Sequence, residues 1–454
     1  MISSTISGYD MSLDNAGAVS AWDNLATAFL AHSKQTPDHL NSLLTLAPEY
    51  APAHAVKGLF CLMMGRSELV QTARECAATS DKAERAGDLL PRERFYLKAL
   101  HHWLDGRISH AVACMHSLLG SWPRESLAIK IAHGILFMLG DAKNMRASLE
   151  KLMPHYASGE HASSGYMHGC YAFSLEETGD YAMAEKTGRR GLDLAPDDAW
   201  GLHAVAHVFD MTSDVDGGQV WLSSQPQAWA HCNNFSYHVS WHLALFHLDR
   251  GENDTVLHLY DTAIRADKTD DYRDISNAAA LLMRLELNGV DVGNRWEELS
   301  ALSEHRVDEG CLVFADLHYL MSLVGGDQMD AARTLIGNME RRSKSIGSQM
   351  DGITKMPGLS AARGLLSFAE GNHAAAFAAL SHARKSMPTI GGSHAQRDVF
   401  ERVTIEAAIR AGALSDAINL INDRGQKRGV QDNYGKDRLA FVSSILDQNK
   451  VVNQ

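Results

Sequence analysis

The stretch GYMHGCYAFSLEETGDYAMAEKTGRRGLDLAP, residues 165–196, decides the fold. Across Gly165–Glu177, Tyr166, Cys170, Phe173 and Ser174 fall near one stripe, the spacing of a helix with one apolar face. Gly179-Asp180 interrupts it, because glycine enters a left-handed turn that other residues resist. Tyr181–Leu194 reads as a second helix carrying Ala182, Ala184 and Leu192, and Pro196 stops it. Small alanines let the two helices approach closely. The unit is a helix hairpin, and a lone hairpin cannot bury its apolar face, so it must stack on copies of itself.

Outward from this hairpin the same punctuation recurs. Glycine turns stand at Gly65, Gly106, Gly140, Gly179, Gly251, Gly289, Gly326, Gly371 and Gly412, with gaps of 41, 34, 39, 72, 38, 37, 45 and 41 residues. The gap of 72 spans two units, with the missing turn expected near Thr212–Asp214. A period of this size with a central turn belongs to tetratricopeptide-like arrays. No stretch alternates with period two long enough for a strand. The fold class is therefore all-α, a right-handed α-solenoid of tetratricopeptide-like helix-turn-helix repeats. Residues 1–45 read as an N-terminal helical cap, 46–211 as repeats, 212–236 as an irregular insertion and 237–386 as further repeats. Residues 387–454 read as a loop (Met387–Arg397) plus a C-terminal helical cap that ends in a terminal helix from Asn433 and a frayed polar tail.

Composition excludes several classes of function. With 42 Lys and Arg against 55 Asp and Glu, the net charge of −13 argues against nucleic acid and anionic lipid as partners. No apolar run reaches the ~18–20 residues of a membrane span, and the first twenty residues lack the pattern of a secretory signal. The six cysteines form no CxxC pair and no disulfide framework, so a reducing cytoplasm is the expected compartment. GxSxG, P-loop and Rossmann patterns are absent, which leaves nucleotide-dependent chemistry unsupported.

Histidine is the residue type that points to a site. Seven of the 23 histidines lie between His203 and His258. His203 and His207, and likewise His238 and His242, stand at i and i+4, which places each pair on one helix face. Such pairs have metal-ligand spacing, and Asp198, Asp210 or Asp261 could complete a coordination sphere. Without a metal, the same imidazoles suit general acid–base catalysis, and as a third reading they are packing residues. HExxH is missing, since Ala204 stands where its glutamate would be. Asp316 and His318 are two apart, on different faces of a helix, so at most one is expected to point inward. In the segment Gly391–Asp398, Ser393, His394, Gln396 and Arg397 follow two glycines and could close over a ligand; Ser393 and Gln396 also match a capping box. Trp241, Asn234 and Asp261 complete the candidate substrate-binding set.

Ala172–Met211, His238–Gly251, Leu281–Trp296, Phe314–Leu323 and Gly391–Phe400 together resemble the tetratricopeptide repeat protein 38 family. The resemblance covers most of the chain after about Leu46. It implies a repeat fold and no settled activity. The chain departs from it at Thr212-Ser213-Asp214, where the family commonly has a Gly-Arg turn, and at Ala280–Met283. The expected function is an enzyme on a small organic substrate, by hydrolysis or elimination, with His203, His207, His238 and His242 as working imidazoles. Asp316 or Asp261 would orient one of them. The alternative is a protein-interaction scaffold without catalysis. No cofactor is required, although a divalent metal such as zinc on the four histidines is compatible. The expected partner is a small-molecule ligand, with no nucleic acid and no membrane; a homo-oligomer is compatible.

Overall fold

A computed structural model describes residues 5–87 and 89–452, with side chains to residue 448. The first four residues of the N-terminal cap and the last two of the polar tail lie outside the described residues. Helix follows helix along the chain. The deciding stretch forms Ser164–Glu176 and Tyr181–Leu194 around Gly179, whose φ is +84°. Cys170, Phe173 and Ala184 are fully buried. The two helices approach almost backbone to backbone: a Cβ on Gly191 would come to 3.0 Å of the Gly165 carbonyl oxygen. The β features of the described residues are isolated bridges, one of them between Ser33 and Cys232.

The hairpin turns follow the glycine period. Gly65, Gly106, Gly140, Gly251, Gly289, Gly371 and Gly412 all take positive φ. At two turns a non-glycine residue does so instead. Asp327 (φ +57°) replaces Gly326, and Ser213 (φ +54°) makes the turn missing from the glycine series. Residues 212–236 are thus more regular than expected. Ser213 joins Ala199–Met211 to the helix Val215–Ser223, and a 3₁₀ turn, Pro226–Ala228, follows.

Contacts divide the chain into two units. The first holds Met1–Val205, Gln225–Ser236 and Gly347–Met350; the second holds Ala206–Ser224, Tyr237–Ile346 and Asp351–Gln454. The boundary falls inside the helix Ala199–Met211. Each unit is a stack of antiparallel helix hairpins. In the first, buried Trp22 meets Tyr50 and Tyr96 edge to face. In the second, Tyr272–Leu287 and Val313–Gly325 are inner helices, buried nearly all round, as a helix covered on both sides must be. Asp316 and His318 are consequently both buried, at 1% and 0% exposure. The expectation that at most one would point inward fails, because neighbouring helices cover both faces.

The segment expected as a loop over Met387–Arg397 is mostly ordered turn and helix. Met387–Ile390 is a 3₁₀ turn, Gly391 and Gly392 have positive φ, and a helix begins at His394. Gln396 and Arg397 are therefore helical. Gly392 is needed twice over, since a Cβ there would also strike the Phe314 ring at 2.4 Å. The chain closes with the helix Asn433–Val452. No described helix is long and apolar enough to cross a membrane.

Candidate functional site

The second unit gathers imidazoles from three helices. His207 comes from the end of Ala199–Met211, His238 and His242 from one face of Phe235–Asp249, and His394 from the start of His394–Arg410. The His207 ring lies 4.5 Å from that of His242 and 5.5 Å from that of His394, centre to centre. His238 and His242 stand nearly perpendicular at 4.8 Å, with their Nε2 atoms 3.2 Å apart. The ring nitrogens of His207, His238 and His242 lie within 4.8 Å of one another, close enough for these histidines to hold a metal ion.

Asn277 orients the group. Its Oδ1 lies 3.1 Å from His238 Nδ1 and 3.4 Å from Gln396 Nε2. A carbonyl oxygen can only accept, so His238 carries its proton on Nδ1 and turns the lone pair of Nε2 toward His242. Trp241 stacks on the His238 ring at 5.4 Å, and the Arg284 guanidinium lies 5.5 Å from the Trp241 ring centre. Burial lowers His238 to about 3 and, together with the His207 charge, holds His242 well below the usual histidine range. Both are neutral at pH 7, fit to offer a lone pair to a metal and unfit to act as cations. Burial also brings Arg284 down to about 9.

The remaining expected residues have partners of their own. His203, one turn before His207 on the same helix, belongs to the first unit. There it stacks on Phe173 at 5.5 Å and touches Trp200 and Phe235. Asn234 is also in the first unit, in the turn before its helix. Asp261 is exposed and bound by both arms of Arg295, at 2.9 and 2.7 Å. Asp316 accepts from Arg342 at 2.7 Å and from the Gly310 N–H; burial still pushes it up to about 6. His318 Nδ1 donates to the Phe314 carbonyl at 2.7 Å, and burial lowers it to about 4. Of the carboxylates weighed as extra ligands, Asp210 pairs with Arg428, while Asp198 is enclosed in the first unit. Ser393 and Gln396 form the capping box. The Arg397 guanidinium donates to the Gly391 and Gly392 carbonyls, clamping its own turn.

Beside His394 the second unit holds a pocket of about 240 Å³. Five cations line it, Arg384, Arg397, Arg424, Lys427 and Arg428, against two carboxylates, Asp398 and Glu401. Although burial pushes Asp398 up, Arg424 and Arg402 hold its carboxyl well below the ordinary range. Sequence reasoning found His394, Arg397 and Asp398 but missed the other cations of this wall. Arg424 and Arg428, at i and i+4, were the available signal. Asn277 was missed too, although it is an amide among the apolar residues of Ile275–Leu285.

No family model matches the chain. Among solved structures, yeast Tom70 is similar over 95% of this chain and 88% of that chain, at 12% identity and a TM-score of 0.39. The human IFIT1 dimer with m7Gppp-AAAA is similar over 93% and 94%, at 13% identity and a TM-score of 0.35. Neither likeness is close enough to assign a function.

Proposed function

We propose that this chain is a binding protein, a tetratricopeptide-type interaction scaffold without catalysis, which takes a carboxylate-bearing group of an acidic partner segment into the pocket of its second unit. The supporting observation is the lining of that pocket, where Lys427 stands with Arg384, Arg397, Arg424 and Arg428, although Arg384, Arg424 and Arg428 also hold carboxylates of this chain. Guanidinium groups favour carboxylates because their paired donors match both oxygens. A pocket of about 240 Å³ is smaller than the ~300–1,000 Å³ of sites that enclose a whole small ligand, so it suits one anchoring group of a larger partner. The resemblance to the tetratricopeptide repeat protein 38 family and a cytoplasmic location belong to this reading. The test is fluorescence anisotropy with a labelled oligo-glutamate peptide and its oligo-glutamine counterpart. Binding of the first alone, weakened at least tenfold in Lys427→Gln at an unchanged melting temperature, supports the scaffold. Equal binding of both peptides sinks it.

A second reading is favoured by the convergence of His207, His238, His242 and His394. In it the chain is an enzyme acting on a small organic substrate by histidine acid–base chemistry, hydrolysis or elimination. One imidazole of the group would act as the base, positioned by its neighbours, and His394 would face the substrate. A divalent metal such as zinc on these imidazoles would serve as its cofactor. Turnover found by substrate screening and abolished in His242→Asn would establish this reading over the first.

A further inference from the structure

The two Nε2 atoms of His238 and His242 face each other at 3.2 Å. Two nitrogens held at the ~2.0–2.1 Å of a zinc bond and at the tetrahedral angle stand about 3.3–3.4 Å apart. The pair is therefore already at the edge length of a zinc tetrahedron. The third nitrogen, from His207, is within 4.8 Å of both. Asn277 supplies what a metal-binding imidazole ordinarily has behind it, an oxygen that accepts from the far ring nitrogen and fixes the near one as a lone-pair donor. Gln396 donates to that same oxygen and holds it in place.

From this geometry we infer that His207, His238 and His242 form a three-histidine site for one zinc-class ion, with Asn277 as the positioning residue for His238. Three imidazole nitrogens with no carboxylate among them select borderline metals over magnesium or calcium. Binding exchanges the His242–His238 hydrogen bond for two metal–nitrogen bonds. No proton has to leave, because the one on His242 Nε2 can move to its own Nδ1. Partial exposure of His238 leaves the ion a route from solvent. Arg284 is the nearby cation whose charge opposes the ion, and it is buried and held by the Ala280 and Ala395 carbonyls.

The site rests on the same imidazoles as the catalytic reading but does not depend on it: zinc bound without turnover would end that reading and leave this one standing. The experiment uses the full chain, stripped with a chelator and titrated with zinc chloride by calorimetry. Cobalt(II) chloride is the second probe, because a tetrahedral cobalt ion shows intense visible bands and an octahedral one does not. One equivalent of zinc and tetrahedral cobalt bands are expected. Both should be lost in His242→Asn, while exposed His258→Gln should bind as before. Asn277→Ala should weaken zinc by about 10–100-fold, the usual cost of losing such a partner. Absence of stoichiometric zinc, octahedral cobalt, or undiminished binding in His242→Asn would overturn the site. If His242→Asn does not fold, the cobalt spectrum of the unaltered chain decides alone.

Discussion

Asp198 shows how far burial moves a single group. Its carboxylate is fully enclosed in the first unit, fitted against glycine backbone. A Cβ on Gly169 would come to 2.0 Å of its Oδ2, and one on Gly201 to 2.4 Å. Burial pushes it up to about 7 against the opposing pull of Lys130. In the unfolded chain it titrates near 3.8. Between those values the folded state keeps a proton that the unfolded state has lost, so the contribution is full below pH 3.8 and is lost as pH rises through about 7. Melting temperature should therefore fall over that window, and Asp198→Asn should flatten the fall. An unchanged slope in the variant would refute the assignment. Ser393 gives a second measurement at this scale. Its hydroxyl accepts from the Gln396 N–H at 3.2 Å, and Ser393→Ala should cost about 1 kcal/mol by chemical denaturation.

Hairpin turns set the element scale. Most of them use glycine at positive φ, but Ser213 holds φ +54° with a side chain attached. A left-handed L-residue costs roughly 1–2 kcal/mol, while glycine loses part of that gain to its freer unfolded state. Ser213→Gly should thus stabilise the protein by about 0.5–1 kcal/mol, read as a higher denaturant midpoint with unchanged slope. Helix contact is the converse case. Gly188→Ala would drive a methyl to 2.6 Å of Val205, a β-branched neighbour with little freedom to move. Overpacking of this kind costs about 1–3 kcal/mol, and the same denaturation curve measures it.

At the scale of the whole molecule, the chain carries a net charge of −13, yet in its pocket five cations stand against two carboxylates. The acidic remainder repels the acidic partner that the pocket attracts, and only short-range pairing in a recess overcomes it. Salt screens the two effects differently, since long-range repulsion fades beyond a Debye length of about 10 Å at 0.1 M while close pairs persist longer. Oligo-glutamate affinity should therefore change little between low and moderate ionic strength and then fall as close pairing is screened. A steep monotonic loss from the lowest salt upward would mean loose surface attraction and would count against the pocket. Far-UV circular dichroism should show helix with no appreciable strand component.

The repeat fold was legible in the sequence because a helix hairpin is a local object. Gly179 and Pro196 punctuate it, the stripe through Cys170 and Phe173 defines its buried face, and the same grammar recurs with a nearly constant period. The i,i+4 spacing of His238 and His242 was legible for the same reason, as it depends on a single helix. What tertiary structure alone decided was the company each side chain keeps. Asn277 lies 39 residues from His238 and Gln396 lies 119 from Asn277, and only stacking of separate hairpins brings them to one hydrogen-bonded point. The same stacking buried both Asp316 and His318 and took Asp261 to the surface beside Arg295. Local periodicity says which residues share a face. Which faces meet is decided by how hairpins far apart in sequence pack, and no spacing within one hairpin encodes that.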